Sequence, residues 1–549
     1  MDAKALSRQG APPRRRKFAP PRVAPLPTRG PDPRSAGSLL VRHGWLLIAA
    51  AVALVAVLAT TRSGLGASTD SVAYVAQARS LRESRTLQVP TGIYEVYEEV
   101  DTARDWVAGP HFPPLFPAVL ALIGASDNPT SSGRGLNASL LAATVLAVAF
   151  MVQRHTGWRG TALLAAGLVA LSPAVLGTHA MLWSEPLFIA LGLLGLLGLA
   201  RYLEQESLPT LVAASVAIAL AWLTRYAGIA LVLTGLLVLV LSGPRPRGRR
   251  AALFLVLTSV PMLAFLLTMA VAGNSGGGYT LAPQAPSVSV LRQGGETLTA
   301  WALPSGIPAL PGLFAWLAAV GMVSVVLARS ARTSPRKPAT NLSALRLPLS
   351  AFLLLYAAVL LGAIVMFAEH VPPEERMLVP AYVVAVALVA CMFGRGLTER
   401  RLARGAVLFA LAGLIVATAG AGSVLMSRGA ADNRGFTSPV WAYANDVGQL
   451  SSLPASARIY SNFPEAVYLA AGRPARLLPK LELTDGRANP RYGAQLARLA
   501  DDVRDGRSAV VFFTIGTRPQ LPDQQALTTA LGMTPTGADV VSYHWVTTR

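Results

Sequence analysis

Charge is what this sequence lacks most. Asp, Glu, Lys and Arg make up 14% of its 549 residues, against 53% hydrophobic ones. A soluble domain carries about a quarter charged residues, so a wholly soluble globular chain is excluded. Cysteine is nearly absent as well. The single Cys391 lies inside an apolar run, which rules out an intrachain disulfide and any metal motif built on cysteine spacing. Charged residues are missing from the middle of the long apolar runs, where an ion or substrate pathway across a membrane would place them. No glycine-rich phosphate cradle is present, because "GNSGGGY" at 273–279 has no strand and helix around it. No pair of similar halves marks a transporter repeat.

What is present is a series of apolar runs. They fall near 45–61, 135–152, 160–177, 183–203, 208–224, 226–242, 251–272, 305–328, 347–368, 378–394 and 405–425. Each is about long enough to span a bilayer as a helix, which predicts an α-helical polytopic membrane protein with about eleven spans. The run Pro113–Gly124 is too short and is expected to be a re-entrant or interfacial segment of the first outer loop, 62–134. Residues 1–44 are rich in Pro and Arg and should be disordered. This leader is too long for an ordinary signal-peptide n-region, so 45–61 is expected to be a retained span and not a cleaved signal.

The charges test this count. With the N-terminus inside and the spans alternating, 26 of the 48 Lys and Arg residues fall on inner segments, including "GPRPRGRR" and "RGLTERRLAR". Positive residues set orientation in this way, so the net charge of +20 is mostly topology. It also draws the inner tail towards anionic lipid. Binding to nucleic acid would need a folded basic surface with aromatics, and none is visible. The transmembrane domain is expected at 45–428. Residues 429–549 differ in texture: "ARIYSN", "SAVVFFTIG" and "DVVSYHWVTT" suit strands, while "PEAVYLAAG" and "YGAQLARLADDVRDG" suit helices. A small soluble α/β domain outside the membrane is expected there.

Isolated polar groups cluster at the outer ends of the spans. They are Asp70 in "STDSVAYVAQARSL", His111 in "GPHFPPLFP", Glu185 in "HAMLWSEPLF", Arg225 in "LTRYAG", and Glu369, His370 and Arg376 in "FAEHVPPEERMLVP". These four loops share one face and one depth. That suits a site for a substrate with a lipid part in the bilayer and a polar head above it. Sugar transfer from a lipid phosphate fits. The phosphate is already a good leaving group and needs only cations, for which the Arg fork is matched. The acceptor hydroxyl needs one general base, which a carboxylate can be.

These segments, in this order, resemble the GT-C superfamily of polyprenyl-phosphate-dependent glycosyltransferases. The resemblance covers about residues 40–425 and is to the bacterial group of lipopolysaccharide galacturonosyltransferases, aminoarabinose transferase and protein O-mannosyltransferases. It implies a multi-pass protein of the bacterial cytoplasmic membrane and transfer of a hexosyl or pentosyl unit, with inversion, to an extracytoplasmic glycan, lipid or protein. It implies Asp70 as the base, and Glu185 as a group that helps form the site. Asp70 and Glu185 would also be the ligands of a divalent metal ion, where one is used. Arg225 and Arg376 would bind the donor phosphate, with His111 and Tyr74 as further donor contacts. Two departures stand out. Asp70 is followed by Ser71 where many members have a second acid, and His111-Phe112 precede the Pro-Pro pair where many have Lys.

Structural roles compete at each position. Asp70 suits a helix N-cap, Glu185 a first-turn acid, Arg225 and Arg376 headgroup anchors, and the triplet Arg79, Arg82 and Arg85 a solvated helix edge. A transporter or lipid flippase, a polysaccharide ligase or polymerase, and a scaffold are the rival classes.

Overall fold

The structure is a computed structural model. It describes residues 34–96, 104–109, 112–124, 128–271, 292–297, 341–366, 374–393, 420, 435–444, 453, 455–483, 486–532 and 540–543. Packing divides the chain into residues 1–45 and 46–549. In chain order the elements are α1 (Arg34–Thr60), α2 (Thr69–Ser84), β1 (Gln88–Pro90), α3 (Thr91–Glu95), β2 (Trp106–Ala108), α4 (Leu115–Leu122), α5 (Pro129–Thr156) and α6 (Arg159–Ala170). Then come α7 (Pro173–His179), α8 (Glu185–Gln205), α9 (Leu208–Thr224), α10 (Ile229–Ser242), α11 (Arg247–Val271), α12 (Asn341–Met366) and α13 (Glu375–Phe393). The C-terminal part holds α14 (Pro439–Ala444), β3 (Arg458–Ser461), α15 (Pro464–Ala471), β4 (Ala475–Leu477), α16 (Tyr492–Arg504), β5 (Ser508–Phe513), α17 (Gln524–Leu531) and β6 (Val540–Tyr543).

The chain is mostly helical. Among the described residues, α5, α8, α11, α12 and α13 are long and apolar enough to cross a membrane, and the α6–α7 pair, bent by 56°, adds a sixth crossing. Gly44–Thr60, Leu208–Thr224 and Tyr226–Ser242 are apolar but shorter; a helix of that length covers about 26 Å, just under the hydrocarbon thickness. The expected runs 305–328 and 405–425, like the loop 273–279, lie outside the described residues. Helix α4 covers only about 12 Å and leaves Leu122 exposed, which suits an interfacial segment. Small residues set the tightest helix pair. A Cβ on Gly195 would come within 2.5 Å of Ile218, and one on Gly198 within 2.7 Å of Ala214, so the α8 glycines let α9 approach closely.

The C-terminal sheet has the order β4-β3-β5-β6. β3 runs parallel to β4 and β5, and β5 antiparallel to β6. Every residue of β5 is buried, as expected of a strand covered on both faces. Its alternating side chains enter two different cores. Val510 and Phe512 pack with Leu499 and Val503 of α16 and with Leu527 and Leu531 of α17. Ala509, Val511 and Phe513 share a core with Phe463, Ala466 and Val467, and also with Val72, Ala73 and Ala76 of α2 and Ile93 and Tyr94 of α3. Helix α2 is therefore enclosed. Its other side, Tyr74, Val75 and Ala78, meets Phe116 and Leu120 of α4 and Leu182.

The seam is close-packed. A Cβ on Gly92 would sit 2.1 Å from the Ala475 carbonyl oxygen. Arg476 Nε donates to Glu95 Oε1 at 2.8 Å, and the Leu477 amide donates to Glu95 Oε2 at 2.7 Å.

Candidate active site

Short backbone pairings bring the starts of α2 and α8 together. Gly66 forms a parallel bridge with Met181, through Gly66 N to Ala180 O at 2.9 Å and Leu182 N to Gly66 O at 2.9 Å. The next residue, Ala67, bridges to Gly435. Gly435 is in the left-handed region at φ 64°, and a Cβ there would lie 2.1 Å from the Ala67 carbonyl oxygen, so only glycine fits. Helix α2 then begins with Ser68 as its N-cap, whose amide donates to Ser71 Oγ at 3.0 Å. Asp70 is the second helical residue. The capping role that competed at Asp70 thus belongs to Ser68, and the Asp70 carboxylate pairs instead with Arg376. The S-x-x-S spacing of Ser68 and Ser71 was the sequence signal for this.

Helix α8 opens with Glu185 and Pro186, a proline position that needs no amide proton. Helix α9 ends at Thr224. Arg225 is extended, at φ −150° and ψ 139°, before a short 3-10 turn leads into α10. Helix α13 supplies Arg376 from its first turn.

The four charged side chains meet. Arg376 Nη1 donates to Asp70 Oδ2 at 2.6 Å, while Arg376 Nε lies 3.7 Å from Glu185 Oε1 and also contacts Glu374. Arg225 Nη1 lies 2.8 Å from Glu185 Oε1 and donates to Ser184 Oγ at 2.9 Å. The Glu185 carboxylate accepts no aligned hydrogen bond among the described residues, so these two contacts are ion pairs by distance alone. Its side chain is 1% exposed, whereas those of Asp70, Arg225 and Arg376 are 13%, 18% and 12% exposed. Glu185 is thus the floor of the cluster, and the other three reach its surface.

Two residues that the sequence reading missed complete the wall. The Trp183 ring lies under the Arg376 guanidinium, 4.6 Å from centroid to Cζ, and its Nε1 donates to Ser68 Oγ at 2.8 Å. Ser184 bridges Arg225 and Tyr74, with its Oγ 3.1 Å from the Tyr74 hydroxyl. Their only sequence signal was adjacency to Glu185. Tyr74, expected as a donor contact, is turned inward between Phe112 and Phe116, with ring centroids at 4.8 and 5.0 Å. Burial, with the Asp70 charge adding to it, pushes its phenol up, so it stays neutral. His111 lies outside the described residues, as do Glu369 and His370. Of the arginine triplet, Arg82 and Arg85 are exposed, but Arg79 packs over Tyr468 at 5.2 Å.

The cluster is joined to the C-terminal sheet one residue before Asp70. Thr69 Oγ1 donates to Glu465 Oε1 at 2.7 Å, and Arg518 Nη2 donates to the same oxygen at 2.7 Å. Glu465 is fully buried, and the Arg518 guanidinium covers the Phe463 ring at 4.5 Å.

Among the described residues, Asp70 and Glu185 alone do not make a divalent-metal site. Among the described residues no three His, Cys, Asp or Glu side chains come together. The two carboxylates, Asp70 and Glu185, have the Arg376 guanidinium between them, where a cation would have to sit.

Residues 111–272 match the family model for dolichyl-phosphate-mannose-protein mannosyltransferase. Among solved structures, ArnT from Cupriavidus metallidurans bound to undecaprenyl phosphate aligns over 92% of this chain and 99% of its own, at 16% identity and a TM-score of 0.53. The fold is that of ArnT. The apo state of ArnT aligns similarly, over 91% and 98%, at 16% identity and a TM-score of 0.52. No curated protein matches the chain. The ArnT-like fold and the family match over residues 111–272 both agree with the resemblance to the GT-C superfamily carried by the sequence motifs.

Proposed function

We propose that this protein is a multi-pass membrane glycosyltransferase that moves a sugar from a polyprenyl-phosphate donor to an extracytoplasmic acceptor, with Asp70 as general base. The observation that carries the reading is Arg376, which touches Asp70 and Glu185 at once, while Arg225 comes to the same Glu185 from another helix break. The mannosyltransferase segment and the ArnT fold, one of whose structures holds undecaprenyl phosphate, support it.

In this reading the donor phosphate takes the place of a carboxylate on one or both guanidiniums. The bond from the anomeric carbon to the phosphate oxygen breaks, and the acceptor oxygen attacks that carbon from the opposite side. The acceptor proton passes to Asp70, and polyprenyl phosphate departs as an anion held by Arg225 and Arg376. Displacement of Asp70 from Arg376 by the donor phosphate releases the carboxylate to act. Glu185, buried beneath both guanidiniums, holds them in place and does not itself reach the sugar.

The test is transfer from a labelled polyprenyl-phosphate sugar by the reconstituted protein. Label moving to an acceptor with release of polyprenyl phosphate supports the reading. Flipping of the intact donor without cleavage overturns it. Orientation is tested separately. With the N-terminus inside and residues 429–549 outside, a cysteine at exposed Gly248 should be shielded from an impermeant reagent and one at exposed Asp505 should label. Labelling of both, or of neither, would break the span count.

A further inference from the structure

The end of α8 opposite Glu185 carries a second polar site, which the proposed transfer does not use. At 1.5 Å per residue, Arg201 stands about 24 Å along the helix from Glu185. There a cavity of about 100 Å³ opens between the last turns of α5 and α8 and the first turns of α12, lined by Met151, Arg154, His155, Leu197, Arg201 and Glu204 among others. That is room for several water-sized groups.

Its charges do not balance. Arg154 Nη2 donates to Glu204 Oε2 at 2.6 Å. Arg201 forms no ion pair with any described residue. Its guanidinium sits over the Phe150 ring at 5.4 Å, and its Nε is buried with no acceptor among the described residues. A buried guanidinium N–H without an acceptor is costly, so the site is short of one anion.

The way in is apolar. Leu194, Leu197, Arg201 and Glu204 follow at helical spacing on one face of α8, and Leu194 is 52% exposed. A hydrocarbon chain lying along this face leads to the guanidinium. Basic pockets between spanning helices at the cytoplasmic end attract anionic headgroups, and the Arg fork matches two phosphate oxygens.

We propose that this cavity holds the phosphate of an anionic membrane phospholipid, with Arg201 and Arg154 on its oxygens and an acyl chain along Leu197 and Leu194. The inference stands apart from the transferase reading, because binding is measured without turnover.

The experiment is native mass spectrometry of the detergent-purified full chain, titrated with phosphatidylglycerol, with phosphatidylcholine or with inorganic phosphate. One phosphatidylglycerol should be retained, about tenfold more tightly than phosphatidylcholine, and Arg201→Leu should weaken it by a similar factor. Glu204→Gln releases Arg154 and should strengthen retention. Inorganic phosphate that binds equally well and displaces the lipid would assign the cavity to free phosphate and overturn the lipid. Equal retention of both lipids, or unchanged retention in both variants, would overturn the site. Should Arg201→Leu fail to fold, Glu204→Gln decides alone: a gain supports the site, and no change removes it.

Discussion

The two ends of α8 treat arginine in opposite ways. At the Glu185 end, Arg225 and Arg376 are met by Glu185 and Asp70, with Glu374 added at the rim. At the other end, among the described residues, Arg154 has Glu204 and Arg201 has an aromatic face but no ion pair. An internally balanced cluster binds a phosphate only by exchanging one of its own carboxylates for it. Binding then frees a carboxylate, and that exchange can drive a reaction. An unbalanced cluster has nothing to exchange, and an anion there would be retained as part of the structure. The balanced end also gathers its groups from four separate elements, so it depends on everything that positions them.

The sharpest way to break this contrast is at Asp70. Asp70→Asn should lower transfer about 10²–10⁴-fold, the usual worth of a positioned base, with donor binding retained. Since Ser68 caps α2, Asp70→Ala should lose activity to the same degree, measured as initial rates in proteoliposomes. An Asn variant that stays active while Ala fails would return Asp70 to a structural role.

Next come the guanidiniums. Arg376→Ala and Arg225→Ala should each reduce kcat/KM for the donor by about 1.5–3 kcal/mol, the worth of a charge-assisted hydrogen bond. Arg376 should suffer more, because it also orients Asp70. Lysine should restore only part. Donor kinetics unchanged in both variants would make them headgroup anchors.

A smaller effect tests the seam with the C-terminal sheet. Thr69→Val keeps the shape of the side chain and removes its hydrogen bond to Glu465. A loss of about 1 kcal/mol, or roughly fivefold, is expected in kcat, with donor KM unchanged. A rise in KM with kcat intact would mean that the tail serves donor binding and does not position Asp70.

The smallest expected change is at Tyr74. Tyr74→Phe removes the bond to Ser184 and should cost at most about 1 kcal/mol of stability by thermal unfolding, with donor KM close to wild type. A large KM increase would restore Tyr74 as a donor contact.

Hydropathy was enough to place the helices. Each expected run that falls among the described residues is helical over most of its length, because a segment facing lipid must satisfy its backbone internally. The four key residues were also visible beforehand, since an isolated charge beside an apolar run is conspicuous by its cost. Local sequence also marked β3, β5 and β6 by their β-branched and aromatic runs, and the end of α16 by Gly506.

Only the tertiary structure decided what those groups do to one another. That Arg376 lies between Asp70 and Glu185, that Tyr74 faces inward, and that α2 is closed on one side by the C-terminal sheet are contacts across the whole chain; Thr69 and Glu465 are 396 residues apart. Periodicity and capping act over a few residues and carry no information at that separation. A charge beside a membrane span can be a cap, an anchor or a catalyst with the same neighbours in sequence. Which of these it is depends on which opposite charge the packing of other helices brings within about 3 Å, where a hydrogen bond adds to the longer-ranged Coulomb attraction.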